Sequence, residues 1–263
     1  MSLLLQNLLF PPRCAGCDEL IAVANWRRGE ECFCPDCRAA WEMAKLAVCS
    51  RCREAIMDCR CMTPRLEEAG VQSLIKLTSY GTSDETTRSV ADRLLFRIKD
   101  KHIVAYEDFL AVQLMPVVRA EMDRRGWLWV DESGAAPFET VVTFCPRSLS
   151  KARKSGTDQA ARVAKRLATL LGLTYAPLLA RSDSVEQKTL GQEERRVHAG
   201  RAYRLRRRVS VTAKRILLVD DIVTTGASMA ACAEVLFAGG ALSVIGVAVE
   251  RVERKAGKNQ KNT

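Results

Sequence analysis

The chain has 263 residues, 48% of them apolar, and carries a net charge of +10 from 41 Lys and Arg against 31 Asp and Glu. That apolar share supports an α/β domain with a small satellite and excludes a globally disordered chain. The basic excess favours polyanionic or phosphorylated partners, and no segment reaches the ~18 uninterrupted apolar residues of a membrane span.

The opening MSLLLQNLLF lacks the positive flank of an export signal, and Gln6 and Asn7 break its apolar run. A cytoplasmic protein with no membrane partner is the expectation. Nine of the eleven cysteines lie before residue 62, mostly as close pairs. In a reducing compartment such pairs point to metal thiolates rather than to a disulfide framework.

The pairs are Cys14 with Cys17, Cys34 with Cys37, Cys49 with Cys52, and the tighter Cys59 with Cys61. A two-residue gap lets backbone amides turn around a metal, and two such knuckles complete a tetrahedral site. The simplest grouping is 14/17/34/37 and 49/52/59/61, holding two structural zinc ions with no open position for chemistry. Cys59-Arg60-Cys61 is one residue short, so the second site is strained, rewired or vacant. Cys32 is the odd thiol, either a substitute for Cys34 or spare. An iron–sulfur cluster is the rival, although knuckles of this type more often hold zinc.

Three zones follow in chain order. Residues 1–65 are Cys-dense and nearly free of regular periodicity, as expected of a double zinc ribbon. Residues 66–252 carry strand and helix patterns, and 253–263 read as a disordered basic tail. Within the middle zone, 71–80 reads as a strand or hairpin arm, 84–99 and 103–125 as helices, and 126–137 as a loop or insertion. The apolar run 141–145 is a buried strand. Thr157 and Asp158 cap a helix that stops at Gly172, and 173–179 adds another strand. Then come a strand at 216–219, a helix at 227–237 ended by Gly239 and Gly240, and a strand at 242–249. Strand, helix, strand at that spacing is a right-handed crossover in a parallel sheet.

The stretch RILLVDDIVTTGAS, residues 215–228, concentrates the chemistry. A strand delivers Asp220 and Asp221 to the carboxyl edge of the sheet, where open α/β folds bind ligands. Ionised carboxylates are acceptor-only groups, suited to the two vicinal hydroxyls of a ribose. Thr224, Thr225, Gly226, Ala227 and Ser228 follow as a loop opening a helix, where amides and hydroxyls can wrap a 5′-phosphate. An ordinary acidic strand end does not require that loop directly behind it. A second charged feature is the run from Arg195 to Arg215, nine Lys or Arg residues with no acid. It is either a solvated face or a surface for phosphates.

Residues 216–228 resemble the phosphoribosyl pyrophosphate (PRPP) motif of type I phosphoribosyltransferases. The chain as a whole resembles the ComF family of competence-associated proteins, down to LLFPPRCAGC near its start. That resemblance implies a double zinc ribbon followed by a type I phosphoribosyltransferase-like parallel sheet flanked by helices. Partial matches extend it. Cys145-Pro146-Arg147 and the segment from Arg153 to Gln159 stand where the family shows a proline and then Arg-Gly-Phe-Asn-Gln, with Thr157 and Asp158 replacing Phe-Asn. Arg181, Gln187, Leu190, Arg195 and His198 meet a later segment, His198 standing for Asn. Tyr203 after Ala202 replaces the usual Phe.

The resemblance implies PRPP with Mg²⁺ and displacement of pyrophosphate at the anomeric carbon. Asp220 and Asp221 would hold the ribose hydroxyls and steer Mg²⁺, and residues 224–228 would hold the 5′-phosphate. Pro146, Arg147, Arg153, Gln187 and Arg195 would complete the PRPP site, the arginines offsetting pyrophosphate charge, with a loop around 181–197 excluding water. The resemblance also implies a part in DNA uptake, with single-stranded DNA and a helicase-type competence protein as partners. On that alternative the basic run tracks phosphates and the PRPP site serves as a ligand sensor, although Tyr203 is the single aromatic among those cations.

Overall fold

The computed structural model describes residues 11–21, 31–80, 89–101, 104–130, 132, 134, 136–147, 158–181 and 202–252. In chain order its elements are α1 (Pro35–Lys45), α2 (Pro64–Glu68), β1 (Leu74–Tyr80), α3 (Val90–Lys101), α4 (Val104–Arg124), β2 (Thr140–Phe144), α5 (Gln159–Leu171), β3 (Thr174–Tyr175), β4 (Leu179–Arg181), β5 (Tyr203–Leu205), β6 (Arg215–Val223), α6 (Ala227–Ala238) and β7 (Ser243–Val252).

Five strands form a sheet in the order β1-β7-β6-β2-β3, every neighbouring pair parallel. A parallel sheet needs cover on both faces, and the apolar run 216–219 at its centre is buried throughout. Leu217 and Val219 join the core beneath α3, α4 and α5, while Ile216 and Leu218 join the core beneath α2 and α6. That alternation is the period of two expected of a strand. Each of these burials stabilises by roughly 1.5–3 kcal/mol. β4 and β5 pair antiparallel as a separate two-stranded flap. The expected parallel sheet flanked by helices is borne out, and no described helix is long and apolar enough to cross a membrane.

Several boundaries differ from expectation for identifiable reasons. β6 does not end at Val219 but runs to Val223, because β7 stays in register with it as far as Val223 opposite Arg251. β2 stops earlier, at Phe144 opposite Val219, with one further bond from the Cys145 N–H to the Val219 carbonyl. The acids therefore lie on a strand paired on one side only. The expected strand 173–179 is split: β3 pairs with β2, and after Pro177 the chain leaves to form β4 in the flap. The described part of the 84–99 helix begins at Val90. The amino-terminal zone holds more regular structure than its sequence suggests, since α1 starts on Pro35 and buries Cys37 and Trp41. Proline at the first turn costs nothing there because its missing N–H would be unpaired anyway. The basic tail 253–263 lies outside the described residues.

The Cys-rich zone shares its core with the sheet's helices. Phe33, Trp41 and Phe109 of α4 meet with ring centroids 5.3–5.7 Å apart. A second seam is ionic. Glu121 of α4, whose side chain is fully buried, accepts from Ser73 at 2.7 Å, Arg125 at 2.6 Å, Arg60 at 3.1 Å, and Arg124. Burial opposes ionisation, but the bonds from Arg124, Arg125, Ser73 and Arg60 outweigh it and hold the carboxyl at about 2.

A carboxylate depressed in the folded state lends stability above its ordinary value of 4.5, and that stability is lost as pH falls towards 2. Glu121→Gln should cost about 3 kcal/mol at pH 7, because it leaves three guanidinium groups without their shared partner. Denaturant unfolding at pH 7 and pH 3 checks this: the gap between wild type and variant should narrow at the lower pH.

Candidate functional site

The turn from β6 into α6 sets the site. Gly226 is the N-cap of α6 with φ 76°, a left-handed conformation that an L side chain adopts at a cost. Space imposes a second requirement there. A Cβ on Gly226 would lie 2.5 Å from Thr63 Oγ1 and 2.9 Å from Leu66 Cγ. No side chain caps α6. Among the described residues, the Ala227 N–H is drawn off to Thr225 Oγ1 at 3.4 Å. The remaining first-turn amides have no partner within the helix, the usual condition for holding an anion.

A hollow of about 60 Å³ opens at this turn, lined by Asp220, Thr224, Thr225, Gly226, Ala227 and Ser228 together with Ile222, Val223 and Met229. It therefore gathers six of the residues singled out from sequence. Asp221 is next to the hollow rather than in its lining, and its carboxylate forms an ion pair with Arg147. Arg147 follows β2 and Pro146, and also donates to Gln159 Oε1 at 2.7 Å; its backbone N–H donates to Asp158 at 3.2 Å. Gln159 in turn donates to the Ile98 carbonyl at 2.9 Å. Asp158 and Gln159, absent from the sequence-derived site, thus fix Arg147 against Asp221. Their position at the start of α5, opposite the end of β2, is the signal that could have found them. Arg153, Gln187, Arg195, His198 and the 182–197 part of the proposed loop lie outside the described residues.

Electrostatics separates the two acids. Burial, and then the neighbouring Asp221 carboxylate, push the Asp220 carboxyl well above the ordinary carboxylate range. Burial likewise raises Asp158, against the opposing effect of the Arg147 N–H. Hydroxyl donors or a cation in the hollow would favour the ionised Asp220. Tyr203 is not an exposed stacking platform. It is buried behind the loop in hydrogen-bond reach of Ser228, beneath the Arg181 guanidinium at 5.4 Å, and burial pushes its hydroxyl up to about 12. In the basic run, Arg204, Arg206, Arg207 and Arg208 are exposed. Lys214 pairs with Glu139, and Arg215 stacks on Trp127 and Phe138.

Two further clusters bring together thiols of the kind that can hold a metal ion. The sulfurs of Cys14, Cys17, Cys34 and Cys37 lie within 4.8 Å of one another, and so do those of Cys49, Cys52, Cys59 and Cys61. Both groupings are the expected ones, and the donor set fits zinc. The short knuckle is accommodated because Arg60 turns away from the sulfurs, donating to the Met57 and Cys59 carbonyls and to Glu121. Burial and the adjacent Cys52 and Cys59 thiols push Cys61 up to about 12, so a cation among the sulfurs would supply the charge that ionises them. Cys32 is fully buried in the adjoining core and belongs to neither group.

Fold and site together define an α/β protein with a hollow at a strand-to-helix crossover and an acid-bearing strand before it. Residues 157–262 match the family model of the phosphoribosyl transferase domain, a stretch that includes the whole of that loop. Among solved structures, the chain is similar to an adenine phosphoribosyltransferase at 14% identity, covering 54% of this chain and 70% of that one, with a TM-score of 0.33. It is similar to phosphoribosylpyrophosphate synthetase from Mycobacterium smegmatis at 18% identity, covering 68% of this chain and 53% of that one, with a TM-score of 0.36. For a hypoxanthine phosphoribosyltransferase from Staphylococcus aureus the identity is 13%, the coverage 58% and 70%, and the TM-score 0.35. The chain thus spans about half the length of the synthetase. No curated protein matches this sequence.

A carboxyl raised in the folded state holds a proton that the unfolded chain releases at its ordinary value of 3.8. Stability from Asp220 is therefore present below that value and declines as pH rises through the window up to its folded pKa. Asp220→Asn should raise Tm at pH 7 by roughly 2–4 °C and flatten that pH dependence, as scanning calorimetry from pH 4 to pH 8 would show.

Proposed function

We propose that this protein binds PRPP with Mg²⁺ and transfers the 5-phosphoribosyl group to a nucleophile, releasing pyrophosphate. The observation that carries the reading is the hollow itself: uncapped helix amides and the hydroxyls of Thr224, Thr225 and Ser228 lie beside Asp220 within a stretch matching a phosphoribosyl transferase domain. The 5′-phosphate takes the amide end and the ribose hydroxyls take the carboxylates.

The reaction breaks the bond from the anomeric carbon to pyrophosphate and builds positive charge on the sugar. Rate then comes from positioning and charge neutralisation rather than from a protein nucleophile. The carboxylates of Asp220 and Asp221 are oxygen donors of the kind Mg²⁺ takes, and the cation would offset charge on the departing pyrophosphate. Arg147, held by Gln159 and Asp221, keeps the Asp221 carboxylate oriented until substrate arrives and then has a guanidinium to offer the pyrophosphate. Arg153, Gln187 and Arg195 are proposed to close over the pyrophosphate side.

A second reading rests on the exposure of Arg204, Arg206, Arg207 and Arg208. In it the protein is a competence factor that handles single-stranded DNA, alongside a helicase-type partner, and uses the PRPP site as a sensor. Tyr203, being buried, offers this reading no stacking platform.

Pyrophosphate release from PRPP with Mg²⁺, measured across a panel of nitrogenous acceptors, separates the two. Wild type should turn over at least one acceptor, and Asp221→Asn should lower kcat/KM by about 100-fold. Absence of turnover, together with salt-sensitive DNA binding lost on neutralising Arg204, Arg206, Arg207 and Arg208, would establish the second reading instead.

A further inference from the structure

The second thiolate cluster is connected to the anion loop by short, buried contacts. Cys61 is two residues from Thr63, and Thr63 and Leu66 are the side chains against which Gly226 is seated. Leu66 is fully buried and belongs to the core under α6. A second link runs through the sheet. Arg251, which pairs in register with Val223 just before the loop, donates to the Cys61 carbonyl at 3.2 Å.

The cluster also has a built charge environment. Lys76 of β1 is fully buried, and its ammonium donates to the carbonyls of Cys59 at 2.9 Å and Cys61 at 3.3 Å. A buried ammonium is costly unless negative charge lies nearby. Four thiolates around a divalent cation carry two net negative charges, and Lys76 and Arg251 are set against the backbone of that group. Among the described residues the first cluster makes no such contact with the loop: Cys14 and Cys37 pack in the opposite core, among α3 and α4, where Arg97 donates to the Cys14 carbonyl at 3.2 Å.

From this geometry we infer that the metal centre of Cys49, Cys52, Cys59 and Cys61 is a positioning element for the phosphate loop, acting through Thr63 and Leu66 on Gly226. Metal fixes the turn 59–61, the turn fixes the 62–66 segment, and that segment fixes how far the loop can retreat from the ligand. The inference rests on the PRPP reading for its functional consequence, while its structural content concerns only the loop. Thr63 and Leu66 touch no substrate and are positioning residues.

The test uses full-length protein and three measurements: zinc content, PRPP affinity with Mg²⁺ by calorimetry, and hydrogen exchange at amides 225–229. Cys61→Ser should lose one zinc per chain, weaken PRPP at least tenfold and speed exchange at those amides at least tenfold. Leu66→Ala should keep both metals and still show both losses, which keeps the test decisive if Cys61→Ser fails to fold. Leu114→Ala, a cavity in the opposite core, serves as a match for lost global stability and should leave amides 225–229 within twofold of wild type. Unchanged exchange in both Cys61→Ser and Leu66→Ala, or an equal rise in Leu114→Ala, overturns the inference. If wild type does not bind PRPP, the functional reading falls, and the exchange comparison still decides whether metal positions the loop.

Discussion

The close approach of Gly226 to Thr63 and Leu66 constrains most of what surrounds it. Two demands meet at one backbone position, a left-handed φ and room for no Cβ. Strand β6 can turn directly into α6 only because both are met. The turn then presents uncapped amides where the strand has just delivered its acids. The contact also ties the Cys-rich zone to the sheet, since Leu66 and the half-buried Met62 join the same core as Ile216, Leu218 and Met229. The second cysteine cluster and the loop are therefore neighbours through packing and not through linker length. A substitution at Gly226 would be felt on both sides of that contact.

Buried carboxylates take two opposite forms in this basic chain. Glu121 has four donors around it and stays ionised despite complete loss of solvent, tying the segment that carries Arg60 to α4 and to Ser73. Among the described residues Asp220 accepts a single N–H, that of Asp221 at 2.9 Å; burial and the Asp221 carboxylate push its proton on rather than off. The difference follows the number of hydrogen-bond donors. A fully satisfied carboxylate is a structural joint. One whose ionised form lacks donors is unstable until a ligand brings them, which is the condition expected at a binding site. The ion pair of Asp221 with Arg147 lies between these cases, because Arg147 is itself fixed by Gln159 and by the Asp158 contact to its backbone.

The parts of the fold and site that were legible in the sequence are those that depend on local chemistry. The run 216–219, the Thr-Thr-Gly loop and the apolar helix behind it specify a strand-to-helix crossover, and the structure places the elements so, with a hollow at the turn. Cysteine spacing gave both sulfur groupings. What escaped depends on partners distant in sequence. The continuation of β6 past the acids follows from its register with β7, and the opening beside the acids follows from the early end of β2. The split of 173–179 needs both the end of β2 and the pairing of β4 with β5, neither of which periodicity reveals. Tyr203 looked like part of a cationic surface because its neighbours are arginines; in a short strand, alternate residues face opposite ways, so it turns inward while Arg204 stays out.

The short knuckle is tied to the rest of the fold by contacts that its own sequence does not reveal. Counted as ligand spacing, Cys59-Arg60-Cys61 is one residue too few for a standard turn around a metal. Arg60 makes up the difference by leaving the metal side altogether and spending its guanidinium on two local carbonyls and on Glu121. The tight turn is therefore held from outside the cluster, by α4 through Glu121, by β1 through Lys76 and by β7 through Arg251. A free-standing ribbon would lack all three supports. Of these elements β7 pairs directly with the strand that carries Asp220, while β1 pairs with β7 and α4 packs against both, so the short knuckle and the acid-bearing strand share β7 as a common support.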